Sequence, residues 1–151
     1  MINNHGEVLF IGDLTPAPGA LESLGVFLYK NGQTVAVARP GAAMPGGGNM
    51  VSATGYVTGY DLNDDGEVVF HAKLDVDDNQ DGYADTGLYA WKDGVLRLIV
   101  RAGKPFENQG VVTYVANYWG YGLASNNAGQ VAFSLGFESG PQLLVLAAPA
   151  P

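Results

Sequence analysis

The sequence predicts an all-β fold built from antiparallel, four-stranded repeat units of about 60 residues. Three observations carry this. The chain repeats itself along its length. Its 151 residues include 22 Gly, with Val, Tyr, Phe and Thr in short runs that suit strands and turns. Its apolar runs are separated by Asn-Gly and Asp-Gly pairs, which tolerate positive φ and close hairpins.

The repeat is read from aligned segments. Ile2-Asn3-Asn4-His5-Gly6-Glu7-Val8-Leu9-Phe10 matches Leu62-Asn63-Asp64-Asp65-Gly66-Glu67-Val68-Val69-Phe70, and both match Ser125-Asn126-Asn127-Ala128-Gly129-Gln130-Val131-Ala132-Phe133. The spacings are 60 and 63 residues. Further on, Gly25 to Gly32 matches Gly87 to Gly94, Val37 to Gly41 matches Ile99 to Gly103, and Tyr56 matches Trp119. One domain, 1–151, therefore contains units at 1–60 and 61–123 and a half unit at 124–151.

In the first unit, Glu7–Leu14 is a strand with apolar Val8 and Phe10 at alternating positions. Gly25–Lys30 is the second, and Asn31-Gly32 turns it into Thr34–Arg39. A Gly/Pro-rich loop from Gly41 to Gly48 leads to a fourth strand near Val51–Tyr60. The second unit repeats this at Glu67–Leu74, Gly87–Trp91, Val95–Arg101 and Val111–Tyr118. The half unit supplies Gln130–Phe137 and Gln142–Leu146. The Asn-x-x-Gly segments are expected to be tight turns into the first strand of each unit.

The charge is unevenly placed. The formal net charge is −8, and between Asp61 and Asp85 there are nine acids and one base, Lys73; the rest of the chain has six of each. A concentrated negative field favours cations and opposes phosphate backbones, so nucleic acid is not an expected partner. Without cysteine, disulfides, thiol catalysis and thiolate metal sites are excluded. No basic-then-apolar leader is visible after Met1, and the apolar end, Leu143 to Ala148, is too short for a membrane span, so no membrane insertion is expected.

Within the acidic segment, Asp75-Val76-Asp77-Asp78-Asn79-Gln80-Asp81-Gly82-Tyr83-Ala84-Asp85 has the pattern of a calcium loop. Alternate side-chain oxygens fall on Asp77, Asn79 and Asp81, and Gly82 takes the sharp turn that wraps chain around the ion. The expected ligands are the side chains of Asp77, Asn79, Asp81 and Asp85 and the Tyr83 carbonyl, with Asp75 or Asp78 assisting. The alignment puts this loop between the first and second strands of the second unit, a place where the other units carry unrelated sequences. A second cation site at Asp61, Asn63 and Asp65 is the weaker expectation, since the other copies of that turn lack the acids.

The pattern Ile/Leu-Asn-x-x-Gly-x-Val-x-Phe, followed by the Gly-rich segment, resembles a repeat of bacterial extracellular, propeller-like surface proteins of the Pro-Glu-Pro-anchor type. The resemblance rests on Asn3, Gly6, Phe10, Gly41, Pro45, Gly46 and Gly47, and again on Asn63, Gly66, Phe70 and Gly103. It departs at Lys104 to Asn108, which replace the Pro-Gly-Gly run. It implies blade-like units and an extracellular or bacterial cell-surface location. Ala147 to Pro151 is similar to the spacer before such an anchor, without the anchor. Separately, Asp77-x-Asn79-x-Asp81-Gly82-x-x-Asp85 is similar to the calcium loops of thrombospondin type 3 repeats, but not to an EF-hand, because Leu88 stands where the twelfth-position Glu belongs.

Two and a half units cannot close a propeller, which takes about four to eight blades. The chain is then a fragment of something larger, a two-sheet β-sandwich, or a subunit that pairs with copies of itself through strand edges. Tyr118 and Tyr121, which lack aromatic counterparts in the first unit, are candidate interface anchors or sugar-stacking groups. His5 aligns with Asp65 and Ala128 and His71 with Ile11 and Ser134, so both read as ordinary turn or strand residues; no nucleophile or phosphate-loop motif is present, and no catalysis is expected. The function predicted is that of a non-catalytic extracellular structural protein that binds calcium and self-assembles. The alternative is a carbohydrate-binding or adhesive module with extracellular polysaccharide as partner.

Overall fold

Each repeat opens on the same turn. In the first, the Asn3 side-chain oxygen accepts from the backbone N–H groups of His5 (3.1 Å) and Glu7 (3.0 Å). Asn126 accepts in the same way from Ala128 and Gln130, and Asn63 from Glu67. The glycine of each turn, Gly6, Gly66 or Gly129, lies at φ +76°, +73° or +70°, a conformation that costs a side-chain-bearing residue energy. The Asn and the Gly are thus both required by the turn, as the sequence leads one to expect.

The computed structural model describes residues 1–14, 23–53, 59–115, 122–138, 140 and 142–148. Among them there are twelve strands and no helix. They are β1 (Val8–Asp13), β2 (Leu24–Lys30), β3 (Gln33–Ala38), β4 (Met50–Ala53), β5 (Tyr60–Leu62), β6 (Val68–Leu74), β7 (Thr86–Lys92), β8 (Val95–Arg101), β9 (Val112–Val115), β10 (Ala124–Ser125), β11 (Val131–Phe137) and β12 (Gln142–Ala147). All pairing is antiparallel.

Three sheets result. The first is β1-β2-β3, the second β4-β6-β7-β8 with β5 also on β6, and the third β10-β11-β12 with β9 also on β11. The fourth strand predicted near Val51–Tyr60 is described as β4 and the one predicted at Val111–Tyr118 as β9; these, and the short β5 and β10 at the starts of the following units, pair with the first strand of the following unit. A sheet therefore draws strands from two consecutive sequence units.

The turn after the third strand survives a change of sequence. Met44 donates to the Gly48 carbonyl at 2.9 Å and Phe106 to that of Gly110 at 2.9 Å, so the run Lys104 to Asn108 folds as the Pro-Gly-Gly run does. What both copies supply is a buried or half-buried apolar residue, Met44 or Phe106, that pins the loop to the core.

The sheets pack face to face, and period-two alternation decides which residues meet. Leu9, Val26, Leu28 and Val37 of the first sheet share a core with Val68, Phe70, Tyr89 and Trp91 of the second. The opposite face of the second sheet, with Val69, Leu88, Ala90 and Val100, shares a separate core with Val131, Phe133, Leu135 and Val145 of the third. Both junctions use aligned positions: Leu9 corresponds to Val69, and Phe70 to Phe133.

A ladder of polar groups runs along the same direction. The Asn3 amide donates to the Asn63 carbonyl at 3.1 Å, and the Asn63 amide to the Asn126 carbonyl at 2.9 Å. One position later, the Asn4 backbone donates to Asp64 and the Asp64 backbone to the Asn127 side chain, each at 2.9 Å. Hydrogen bonds from Asn4 and Asn127 favour the ionised Asp64 and hold its pKa below the usual carboxylate value.

Candidate functional site

The acidic loop joins β6 to β7 and is closed at its base by backbone hydrogen bonds, Leu74 N–H to the Asp85 carbonyl (2.8 Å) and Asp85 N–H to the Val76 carbonyl (2.7 Å). Val76 packs on the first core and anchors the loop. Beyond it the chain curls around Asp77, whose two carboxylate oxygens accept from the N–H groups of Asp81 (3.1 Å) and Gly82 (2.9 Å). Gly82 sits at φ +87°. Asp81 accepts from the Tyr83 N–H (2.8 Å) and from the Asn79 amide (2.9 Å). Asp77, Asn79 and Asp81 are thereby gathered into one turn, as their spacing predicts.

Asn79 Oδ1 is shielded from solvent and has no hydrogen-bond partner. An amide oxygen in that state has lost its water without compensation, and a cation would supply what is missing. Tyr83 is 78% exposed. Among the described residues no three His, Cys, Asp or Glu side chains are grouped so as to hold a metal by themselves. A calcium ion here would rest on two carboxylates and would draw its remaining oxygens from Asn79, the Tyr83 carbonyl and water.

Asp85, Asp78 and Asp75 do other work. Asp85 is buried, and its Oδ2 accepts from Arg101 at 2.9 Å and from the Asp78 N–H at 3.1 Å. Asp78 accepts from the same guanidinium at 2.7 Å and pairs with Lys104 at 2.6 Å; Lys104 and Arg101 together hold its pKa below the usual carboxylate value. Arg101, with its side chain 1% exposed, also donates to the carbonyls of Gly46 (2.7 Å) and Gly47 (2.8 Å). Asp75 caps the other side, accepting from the backbone and side-chain amides of Asn49 at 2.6 and 2.7 Å, bonds that depress its pKa. The loop's acids thus divide into Asp75, Asp78 and Asp85, which are tied to side chains of other segments or to Arg101, and Asp77 and Asp81, which are gathered with Asn79 in the turn.

The Arg101 clamp ties together the acidic loop, the Gly-rich loop and the end of β8. The sequence carried one signal for it: Arg39 and Arg101 occupy the same repeat position, and only the second faces an acidic loop.

Asp61, Asn63 and Asp65 are put to use differently from the second cation site expected of them. Asp61 accepts from the backbone and hydroxyl of Ser125 at 2.6 and 3.0 Å, and Asn63 is a rung of the ladder. Asp65 is exposed and lines a groove of about 330 Å³ with Asn63, Glu67, Arg97 and Asn127, across which Arg97 pairs with Glu67. Tyr118 and Tyr121 lie outside the described residues. His71 is buried between the second and third sheets, and burial lowers its pKa to about 4, so it is neutral at pH 7. Burial likewise pushes Tyr89, whose hydroxyl lacks a partner, up to about 12.

Residues 1–142 match the model of a family of unknown function, DUF7453. The chain belongs to that family. No curated protein and no solved structure matches it.

Proposed function

We propose that this member of the DUF7453 family is a non-catalytic, calcium-binding structural module of an extracellular or bacterial cell-surface protein, and that it associates with copies of itself. Its sheets are taken as successive blade-like layers of an open stack, an arrangement close to a multilayered β-sandwich.

The observation that carries the reading is the turn at Asp77–Gly82. The Asp77 and Asp81 carboxylates share one turn, and the oxygen of the amide between them in sequence, on Asn79, is dry and unpartnered. A divalent cation would partner that oxygen and be held by the two carboxylates. Loops of this kind in extracellular modules bind calcium with dissociation constants on the order of 10⁻⁴–10⁻³ M, which matches millimolar calcium outside cells. A non-catalytic role is supported by the histidines: His71 is held neutral in the core, and His5 sits exposed in a turn.

Titration calorimetry with calcium chloride, against magnesium chloride as control, tests the reading. Calcium is expected to bind once with submillimolar to millimolar affinity and to raise the melting temperature. The Asp77→Asn/Asp81→Asn variant is expected to lose both effects. Absence of binding by the unmodified chain sinks the calcium assignment.

The carbohydrate alternative has one feature in its favour, the polar groove between Glu67, Arg97 and Asn127. Retention of the chain on a polysaccharide matrix, abolished by Arg97→Ala, would favour that reading.

A further inference from the structure

The two internal junctions show what each sheet face is built to meet, and the stack leaves one face of each kind open. The first face type carries Phe70, Tyr89 and Trp91 in the second sheet, at 0%, 0% and 4% exposure. The aligned residues of the first sheet are Phe10, Phe27 and Tyr29, which lie on its outer face. There Phe10 is 38% and Tyr29 43% exposed. The second face type carries Val26 and Leu28 in the first sheet and Leu88 and Ala90 in the second, all at 0%. In the third sheet the same register positions hold Leu144 and Leu146, which pair with Ser134 and Ala132 and are 83% and 64% exposed.

We propose that the Leu144/Leu146 face of one copy of this chain docks on the Phe10/Tyr29 face of another, head to tail, reproducing at the subunit contact the junction made twice within the chain. This rests on the self-association proposed above and names its surfaces: sheet faces rather than strand edges.

Two lines of argument select a second copy as the occupant. The first is geometric. A face of the second type packs on a face of the first type at both internal junctions, and the two open faces are one of each. The second is the polar ladder, whose ends are chemically matched. The Asn126 amide donates to Gln130 at 2.8 Å within its own turn, as the Asn3 amide donates to Glu7 while also donating forward to the Asn63 carbonyl. The Asn3 carbonyl accepts from Gly6 in its turn, as the Asn63 carbonyl accepts from Gly66, and Asn63 shows that the second lone pair can take the preceding repeat's asparagine. At the next position Asn127 would meet Asn4, so no two carboxylates face each other. Asp64 sits between Asn4 and Asn127, so neither internal junction does so either. Contacts of this heterologous kind propagate into filaments, or rings where the rotation closes.

The test uses two blocked variants of the whole chain. Tyr29→Glu/Ala36→Glu charges the first open face, and Leu144→Glu/Leu146→Glu the other; Tyr29, Ala36, Leu144 and Leu146 are all exposed. Sedimentation velocity over a concentration series is expected to show the unmodified chain growing into a ladder of oligomers. Each blocked variant alone should remain monomeric, its affinity weakened by about a hundredfold or more. A mixture of the two should form a one-to-one dimer and stop, because each retains the face the other needs. That dimer also shows both variants to be folded; if the glutamates prevent folding, the serine pair Leu144→Ser/Leu146→Ser replaces them. Association of either blocked variant with itself would overturn the head-to-tail interface while leaving self-association through other surfaces standing. A monomeric unmodified chain at every concentration would overturn both.

Discussion

Replacing Arg101 with Met should be among the most damaging single changes in this protein. The methionine fills much of the volume of the arginine stem but supplies no donor. Four hydrogen bonds between 2.7 and 2.9 Å are lost, two to the carbonyls of Gly46 and Gly47 and two to Asp78 and Asp85. The Asp85 side chain, 1% exposed, keeps the Asp78 N–H but no cation. Breaking a buried ion pair by removing one partner typically costs 3–5 kcal/mol, because the remaining charge is buried and uncompensated. Domains of this size are stable by roughly 5–15 kcal/mol, so the variant should remain folded with a melting temperature lower by about 10 °C. Urea unfolding followed by tryptophan fluorescence, to which Trp91 in the first core contributes, gives the free energy. Arg101→Met/Asp85→Asn should recover part of the loss, since the second change removes the stranded charge. If Arg101→Met costs less than about 1 kcal/mol, or if the double variant shows the simple sum of the two single losses, the clamp is not the fastening described.

Three further outcomes are expected. His71, with a folded pKa of about 4 against 6.5 unfolded, makes the unfolded chain bind the extra proton, so stability falls as pH drops from 6.5 towards 4. At 1.36 kcal/mol per pK unit the loss approaches roughly 3 kcal/mol, and His71→Gln should flatten that limb of a stability–pH curve; parallel curves for the two proteins would refute it. Gly41 and Gly103 share a repeat position and a positive φ, but a Cβ at Gly41 meets nothing within 4 Å while one at Gly103 would lie 2.8 Å from Asp78 and Asp85. Gly41→Ala should therefore cost about 1–2 kcal/mol and Gly103→Ala measurably more, as read from thermal unfolding. Asn63→Ala removes bonds to Glu67 N–H and the Asn126 carbonyl and should cost about 1–3 kcal/mol, whereas the same change at exposed Asn126 should cost less.

The repeat made much of this fold legible. The Asn-x-x-Gly segments, the first three strands of the two full units and the alternation that buries Phe70 and Phe133 follow from residue type and spacing. What spacing could not show is partner choice across a sheet edge. The fourth strand of each unit joins the next sheet because β6 and β11 each present an unpaired edge to it, a non-local fact that leaves no local signal. The acidic loop was legible in the same partial way. The turn around Asp77, Asn79 and Asp81 is a local consequence of Asx-type hydrogen bonding and Gly82. The use of Asp85 and Asp78 depends on Arg101, 16 and 23 residues away, arriving from a different strand.

Comparison of Arg39 with Arg101 explains how such a loop can sit on this scaffold. In the first repeat the arginine is exposed and lies 5.6 Å from the Phe27 ring, on the open outer face. In the second repeat the same arginine is covered by the loop and neutralised by its two inner acids. The buried guanidinium thus acts as an internal cation at the base of a segment otherwise dominated by negative charge. The tip has no such protein cation among the described contacts: Asp77 and Asp81 accept only from backbone N–H groups and the Asn79 amide. On the proposed calcium assignment, chelation should therefore loosen residues 77–83 while leaving the base, the Gly46–Gly47 contact and the sheet pairing intact. Hydrogen exchange resolves this directly, with the Asp81 and Gly82 amides gaining protection from calcium and the Asp85 amide, bonded to Val76, protected throughout. Equal loss of protection at Asp81 and Asp85 on chelation would mean that the ion, and not Arg101, fastens the loop to the sheets.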